Sequence, residues 1–287
     1  MPPIPQQYKT ANAFRRALED RLKNISRVEA TALDRVRKRV AFDRILARLF
    51  NEPNPKWLLK GGYALEFRFQ NIARATKDID FSIPLMSEPT AERILDLLRV
   101  EVDKELGDWF VFLIGAPMLE LDRAVYGGWR FPVESRLDGR TFSKFHLDVG
   151  VGDAIISQPE WRKGPEFLSF AGISAAHVAL LPLDQQFAEK IHAYSIPRGN
   201  RQNSRTRDLV DLVLLIEYEM PDKQTIKKAL EATFERRKTH EIPAKLEPPP
   251  ADWKEIYREM AEECGVSKKA LDEAFALLEN YWNEIFK

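Results

Sequence analysis

The 287-residue chain has a single cysteine, Cys264, so no internal disulfide can form. That thiol lies in a charged helical stretch without a partner, and reads as a surface or half-buried group in a reducing compartment. Charge of one sign is also missing. Lys+Arg and Asp+Glu number 44 each, so a nucleic-acid partner has to be argued from local basic surfaces, not from net charge. Long hydrophobic runs are absent. The longest, Trp109 to Leu119, is too short to cross a bilayer and contains Gly115 and Pro117. Met1-Pro-Pro-Ile-Pro-Gln-Gln has neither the basic start nor the apolar run of a signal peptide. A cytoplasmic location with no membrane partner is expected.

Apolar residues make up 44% of the chain, enough to bury the core of two modest domains or one large one. Residues 11–49 read as two helices with a break near Asn24 to Ser26; Phe14, Leu18 and Leu22 recur at helical spacing, and Leu33, Val36, Val40, Ile45 and Leu49 continue the stripe. Trp57 to Lys60 is a short apolar run that meets Gly61-Gly62 and then a helical pattern. Ile79 to Ile83 alternates apolar and polar, and residues 89–106 read as a helix. Period two returns in Trp109 to Leu119, Tyr126 to Leu137 and Thr141 to Val151, with a hairpin signal at Asp138-Gly139. From Pro182 on the chain reads as helices at 184–195, 206–218, 221–238, 251–264 and 267–286. The fold class expected is α+β: a mixed, mostly antiparallel sheet with flanking helices, then a helical domain. The boundary falls between Gly172 and Leu183.

Asp78 and Asp80 are two apart on an extended run, so both side chains leave one face while Ile79, Phe81 and Ile83 leave the other. Paired carboxylates are cheap on an open surface but costly in a cleft without a cation. Oxygen ligands of this kind suit Mg²⁺ or Mn²⁺, completed by water and substrate phosphates. The bare pair also fits a solvated sheet edge. The order apolar strand, Gly-Gly, helix, Asp-x-Asp strand is more specific, because glycine lets a phosphate approach the backbone and a helix start offers free N–H groups.

Lys60-Gly-Gly-Tyr-Ala-Leu-Glu66 followed by Arg74-Ala-Thr-Lys-Asp-Ile-Asp-Phe81 resembles the first motif of the DNA polymerase β-like nucleotidyltransferases, most of all the AbiEii/AbiGii, MenT-like toxin branch. The resemblance implies that Gly61 and Gly62 lie on nucleotide phosphates and that Asp78 and Asp80 hold the metal, with Asp80 catalytic. Tyr63 stands where the branch often has Ser or Thr, and 15 residues separate Gly62 from Asp78, more than the superfamily usually shows. A third acid is required on a neighbouring strand. In Phe145-His-Leu-Asp-Val-Gly-Val151, Asp148 shares the polar face with His146 and is favoured as metal ligand or base; Asp153, just past the strand end, is the alternative. His146 reads as a face neighbour.

Lys190 sits beside the stripe Phe187, Ile191, Tyr194 and, on residue type alone, would be a snorkelling surface lysine. Asp208 and Asp211 are helical neighbours beside Leu209, Leu212, Val213 and Ile216. Asp208 suits the helix start, whereas Asp211 lies further in, between Val210 and Leu212. Glu189-Lys190-Ile-His192 and Arg205-x-Arg207-Asp208-x-x-Asp211-Leu212 are similar to two further motifs of the toxin branch. The resemblance spans roughly residues 57–217 and divides the chain into a nucleotidyltransferase core with N-terminal helices, 1–180, and a helical domain, 181–287, that contributes Lys190 and Asp211. It implies nucleotide contacts from Lys60, Gly61, Gly62, Lys190, Arg207 and Asp208, and catalytic roles for Lys190 and Asp211, the latter by orienting the lysine.

Two basic stretches remain. Arg198 to Arg207 holds four arginines and no acid, and residues 27–48 hold seven Lys/Arg against three acids. Each alone fits a solvated surface; together they suggest an RNA acceptor. The expected activity is transfer of a nucleoside monophosphate from an NTP to an acceptor hydroxyl, the tRNA 3′ end by resemblance, in a toxin with a cognate antitoxin. Nucleotidylation of a protein hydroxyl and an inactive nucleotide- or RNA-binding module are the alternatives.

Overall fold

The computed structural model describes residues 8–52, 54–69, 72–73, 76–120, 126–199, 203–218 and 220–287. Its elements in chain order are α1 (Ala11–Val28), α2 (Leu33–Leu49), β1 (Leu58–Lys60), α3 (Gly61–Phe69), β2 (Ile79–Ile83), α4 (Ala91–Val102), β3 (Phe110–Ile114), β4 (Leu119–Glu120), β5 (Gly128–Leu137), β6 (Arg140–Val151), β7 (Glu160–Lys163), β8 (His177–Leu180), α5 (Leu183–Ser195), α6 (Thr206–Tyr218), α7 (Lys223–Arg237), α8 (Lys254–Cys264) and α9 (Leu271–Ile285). The chain forms two compact units, 1–59 with 77–152 and 161–179, and 60–76 with 153–160 and 180–287.

The first unit is built on a sheet of order β3-β5-β6-β2-β1-β8-β7, with β4 added to β5. β5 pairs antiparallel with β3, β4 and β6, whereas β2 pairs parallel with β6. This is the mixed, mostly antiparallel sheet expected. Asp138 and Gly139 turn the β5–β6 hairpin at φ 55 and 69, the positive φ that this dipeptide tolerates. Ile79, Phe81, Leu147 and Val149 are fully buried, and Phe42 of α2 meets Phe145 edge-on at 4.8 Å.

The break between the first two helices falls later than expected. Asn24 and Ser26 stay helical because their side chains find local partners, Asn24 from Arg27 and Ser26 by donating to the Thr31 carbonyl at 2.6 Å. The extended run after Trp109 is short, since Trp109 itself adopts φ 56. The four-residue strands β7 and β8 are too brief to show a period and escaped the sequence reading.

The second unit packs α3 and α5–α9 around Phe187, Ile191, Leu209, Leu212, Leu230 and Trp282. Asp222 caps α7 through the Thr225 N–H at 3.0 Å. Cys264 is not a surface thiol: with Tyr257 and Ala261 it forms the buried face of α8.

Candidate active site

The parallel register sets Asp80 opposite Asp148, and the antiparallel register sets Asp148 opposite Arg130. Asp78, one position before β2, meets the next polar residue of β6: its Oδ1 is 3.0 Å from His146 Nδ1. Five polar groups, four on three strands and Asp78 just before β2, thus share one sheet face. Asp78 and Asp80 are half-buried and Asp148 is buried. Arg130 is the residue that sequence reasoning missed. Its guanidinium donates to both oxygens of Asp148, at 2.8 and 2.6 Å, and lies 3.7 Å from Asp78. These bonds raise the Arg130 pKa, with the paired Asp148 first and the charges of Asp78 and Asp80 adding to it, against the cost of burial. No signal in the sequence marks it, because its role follows from register across a hairpin.

The donor set suits a hard divalent cation. Two carboxylates suffice for Mg²⁺, which keeps water and phosphate oxygens in the remaining positions. Among the described residues no three acidic, imidazole or thiol groups are gathered as a ready-made cage. Asp148 is instead held by Arg130. Asp153, the alternative to Asp148, belongs to the second unit and is ion-paired there with Lys60 and Arg237.

In the second unit the diglycine opens α3. Gly61 takes φ 66, a conformation that glycine adopts without strain. Its carbonyl accepts from Gln186 Nε2 at 2.7 Å, and Gln186 Oε1 accepts from Arg68 at 2.6 Å. Arg68 also donates to Glu160 at 2.7 Å. This chain of bonds fixes the turn. Tyr63 is buried edge-on against Phe67 at 5.9 Å, so its side chain belongs to the packing of α3.

Lys60 sits in a four-membered ion cluster. Its ammonium contacts Asp153 closely and Glu189 at 3.2 Å, and Arg237 reaches the same two acids at 3.1 and 3.5 Å. Burial opposes the charge on Lys60, but Asp153 and Glu189 outweigh it and raise the pKa. Burial, then Asp153, pushes Glu189 up.

Lys190 does not snorkel. It is 7% exposed, and its Nζ lies 2.6 Å from Asp211 and 3.3 Å from Asp208. Asp211 is 1% exposed, which explains an acid placed between Val210 and Leu212: it receives a buried ammonium. Arg205, not Arg207, stands beside Asp208, at 3.4 Å. Arg207 is exposed.

The basic stretches shrink. In residues 27–48, Arg44 and Arg48 are buried, Arg44 on Asp43 and Arg48 on both oxygens of Asp108 at 2.9 and 2.7 Å. Arg37 and Arg39 are paired with Glu19 and Glu29. Four of the seven basic residues are therefore paired, Arg37 and Arg48 with acids outside the segment and Arg39 and Arg44 with Glu29 and Asp43 inside it. In the second stretch Arg198 donates to the Ala193 carbonyl at 2.8 Å, and Arg201 lies outside the described residues.

Asp78, just before β2, and Asp80, on β2, stand beside Asp148 on the parallel strand β6. The AbiEii family model, described as the nucleotidyl transferase toxin of a type IV toxin–antitoxin system, matches residues 44–277, and the chain belongs to this family. Among solved structures it is similar to MenT4, a nucleotidyltransferase toxin from Mycobacterium tuberculosis H37Rv, with a TM-score of 0.53 and 18% identity over 97% of each chain. That likeness bears on the fold. No curated protein matches the sequence significantly. Family membership makes an NTP the substrate and an antitoxin the partner. Among the described residues no helix is long and apolar enough to cross a membrane.

Proposed function

We propose that the protein transfers a nucleoside monophosphate from an NTP to the hydroxyl at a tRNA 3′ end, in the cytoplasm, and that it depends on Mg²⁺ or Mn²⁺. The observation that carries this reading is the register that lines up Asp78, Asp80 and Asp148 on one sheet face. A divalent cation on these acids would neutralise phosphate charge and favour the ionised acceptor hydroxyl. Asp78 and Asp80 would hold it, with Asp148 as the third acid, shared with Arg130. The N–H groups at Gly61, Gly62 and the start of α3 face phosphate oxygens. Lys190 supplies a positive charge to the triphosphate, and Asp211 and Asp208 fix where that charge stands. Lys60 acts through the turn that follows it, since its ammonium is engaged by Asp153 and Glu189. The acceptor oxygen bonds to the α-phosphorus, pyrophosphate leaves with the electrons of the broken P–O bond, and the hydroxyl proton passes to a carboxylate of the cluster.

The test is incubation of the protein with each α-labelled NTP, Mg²⁺ and either tRNA or a protein extract. Label on intact tRNA but not on tRNA with an oxidised terminal ribose supports the reading. Label on protein alone, or label that survives EDTA, overturns it.

A further inference from the structure

Next to Asp78 the first unit has a cleft of about 620 Å³ that the acids do not fill. Its charged wall consists of Lys38, Lys77, Lys144 and Arg130, against Asp78 and Glu134. Arg130 is paired with Asp148, so among the described lining residues the three lysines set the charge against Asp78 and Glu134, and a divalent cation on Asp78 would make the cleft more positive. Two of the lysines are loosely tied. Lys144 is 3.8 Å from Glu134 and 70% exposed, while Glu134 is already bonded to Arg136 and Thr141 at 2.7 and 2.8 Å. Lys38 is 3.7 Å from Asp34, longer than a charge-assisted hydrogen bond. Both ammonium groups can turn to an incoming phosphate at little cost.

The remaining wall is apolar and open. Leu113 and Met118 are 44% and 63% exposed, and Pro132 lies between them and His146 on the same sheet face. Gly115 makes that floor flat. A Cβ there would stand 2.9 Å from Pro132 Cγ, and the Gly115 N–H pins the Pro132 carbonyl at 2.9 Å. An apolar floor rimmed by lysines whose ammonium groups can reach phosphates matches a nucleobase on a phosphate backbone.

We infer that this cleft is the acceptor subsite and holds the unpaired 3′-terminal nucleotides of an RNA strand. Phosphates lie on Lys38, Lys77 and Lys144, a base lies on Pro132 and Met118, and the terminal hydroxyl stands at the Asp78 end. The inference rests on the nucleotidyl-transfer reading and specifies where its acceptor binds.

Two variants test it, Lys38→Glu/Lys144→Glu for the charge and Met118→Asp for the floor. The probe is a stem-loop RNA with a short unpaired 3′ tail, titrated by fluorescence anisotropy across a salt series; NTP affinity and thermal midpoint are measured in parallel. The charge variant is expected to bind RNA at least about tenfold more weakly, with a log–log salt slope lower by about 1.4. Met118→Asp is expected to weaken binding with less change in slope, and NTP affinity stays at the wild-type value in both. Wild-type RNA affinity and slope in both variants, with RNA labelling intact, overturns the subsite and leaves the transfer reading standing. Equal loss of NTP affinity assigns the cleft to the NTP and overturns it too. Wild-type protein that labels protein and ignores RNA overturns both.

Discussion

Replacing Lys190 by methionine removes an ammonium bonded to Asp211 at 2.6 Å, where that carboxylate, 1% exposed, stands near Asp208. Removing one partner of a buried pair costs about 3–5 kcal/mol. The lower end applies here, because Asp208 keeps Arg205 at 3.4 Å. Lys190→Met is therefore expected to lose about 3 kcal/mol, a fall in Tm on the order of 10 °C. Asp211→Leu alone strands the ammonium with Asp208 and costs a similar amount. The double variant Lys190→Met/Asp211→Leu removes both charges and is expected to recover much of the loss, with a coupling energy of about 2 kcal/mol. Urea unfolding followed by circular dichroism at pH 7 measures the cycle. Losses under about 1 kcal/mol, or additivity within about 0.5 kcal/mol, refute the pair as a buried unit. The same double variant then separates fold from chemistry. If the ammonium acts on the triphosphate, the restabilised protein still turns over on the order of a hundredfold more slowly. Full activity in it assigns Lys190 to packing.

Asp80→Asn is expected to abolish nucleotide transfer while thermal stability holds or rises, since Asp148 stands directly opposite; a fall in midpoint would show that Asp80 is structural. Gln186→Ala unpairs the Gly61 carbonyl and one arm of Arg68, so about 2 kcal/mol of stability and a rise in KM for NTP are expected, read by calorimetry and steady-state kinetics. Gly61→Ala forces a Cβ into φ 66 and is expected to cost about 1–2 kcal/mol and to raise the same KM, whereas Gly139→Ala in the hairpin leaves it unchanged. His192 has its pKa pushed down from 6.5 to about 3, by burial first and then by Arg237 and His240. The unfolded chain binds the proton more readily, so this histidine contributes stability above pH 6.5 that is lost progressively as pH falls towards 3. Unfolding free energies between pH 7 and 4 are expected to fall less steeply in His192→Gln than in wild type.

Local pattern carried the sequence reading a long way. Alternation in Ile79 to Ile83 and Phe145 to Val151 put the acids on polar faces, and the sheet pairs those two strands in register. The helical stripes of α5 and α6 form the core of their unit, and Asp211, odd for its position, is explained by Lys190. What stayed hidden is pairing between distant segments. Arg130 looks like any strand arginine until the hairpin sets it opposite Asp148. Arg68 and Arg237 take their roles from partners far along the chain, Glu160 and Gln186 for Arg68 and Asp153 and Glu189 for Arg237. Arg44 and Arg48 misled in the other direction. They read as surface charge because Asp108, the partner of Arg48, lies 60 residues away.

The interleaving of the two units bears on when the protein becomes dangerous to the cell that makes it. The unit holding Asp78 is incomplete until residues 161–179 have been synthesised, and the one holding Lys190 draws on 60–76 but also on the chain to its end. Lys60 in particular shares its acids with Arg237, the last residue of α7. A ribosome-bound chain emerges at about 5–20 residues per second, so the diglycine turn waits many seconds for the helices that hold it. Chains cut short before the end of α7 therefore lack the Arg237 that shares Asp153 and Glu189 with Lys60. A toxin of this family built in this way completes its second unit only once α9 has been made.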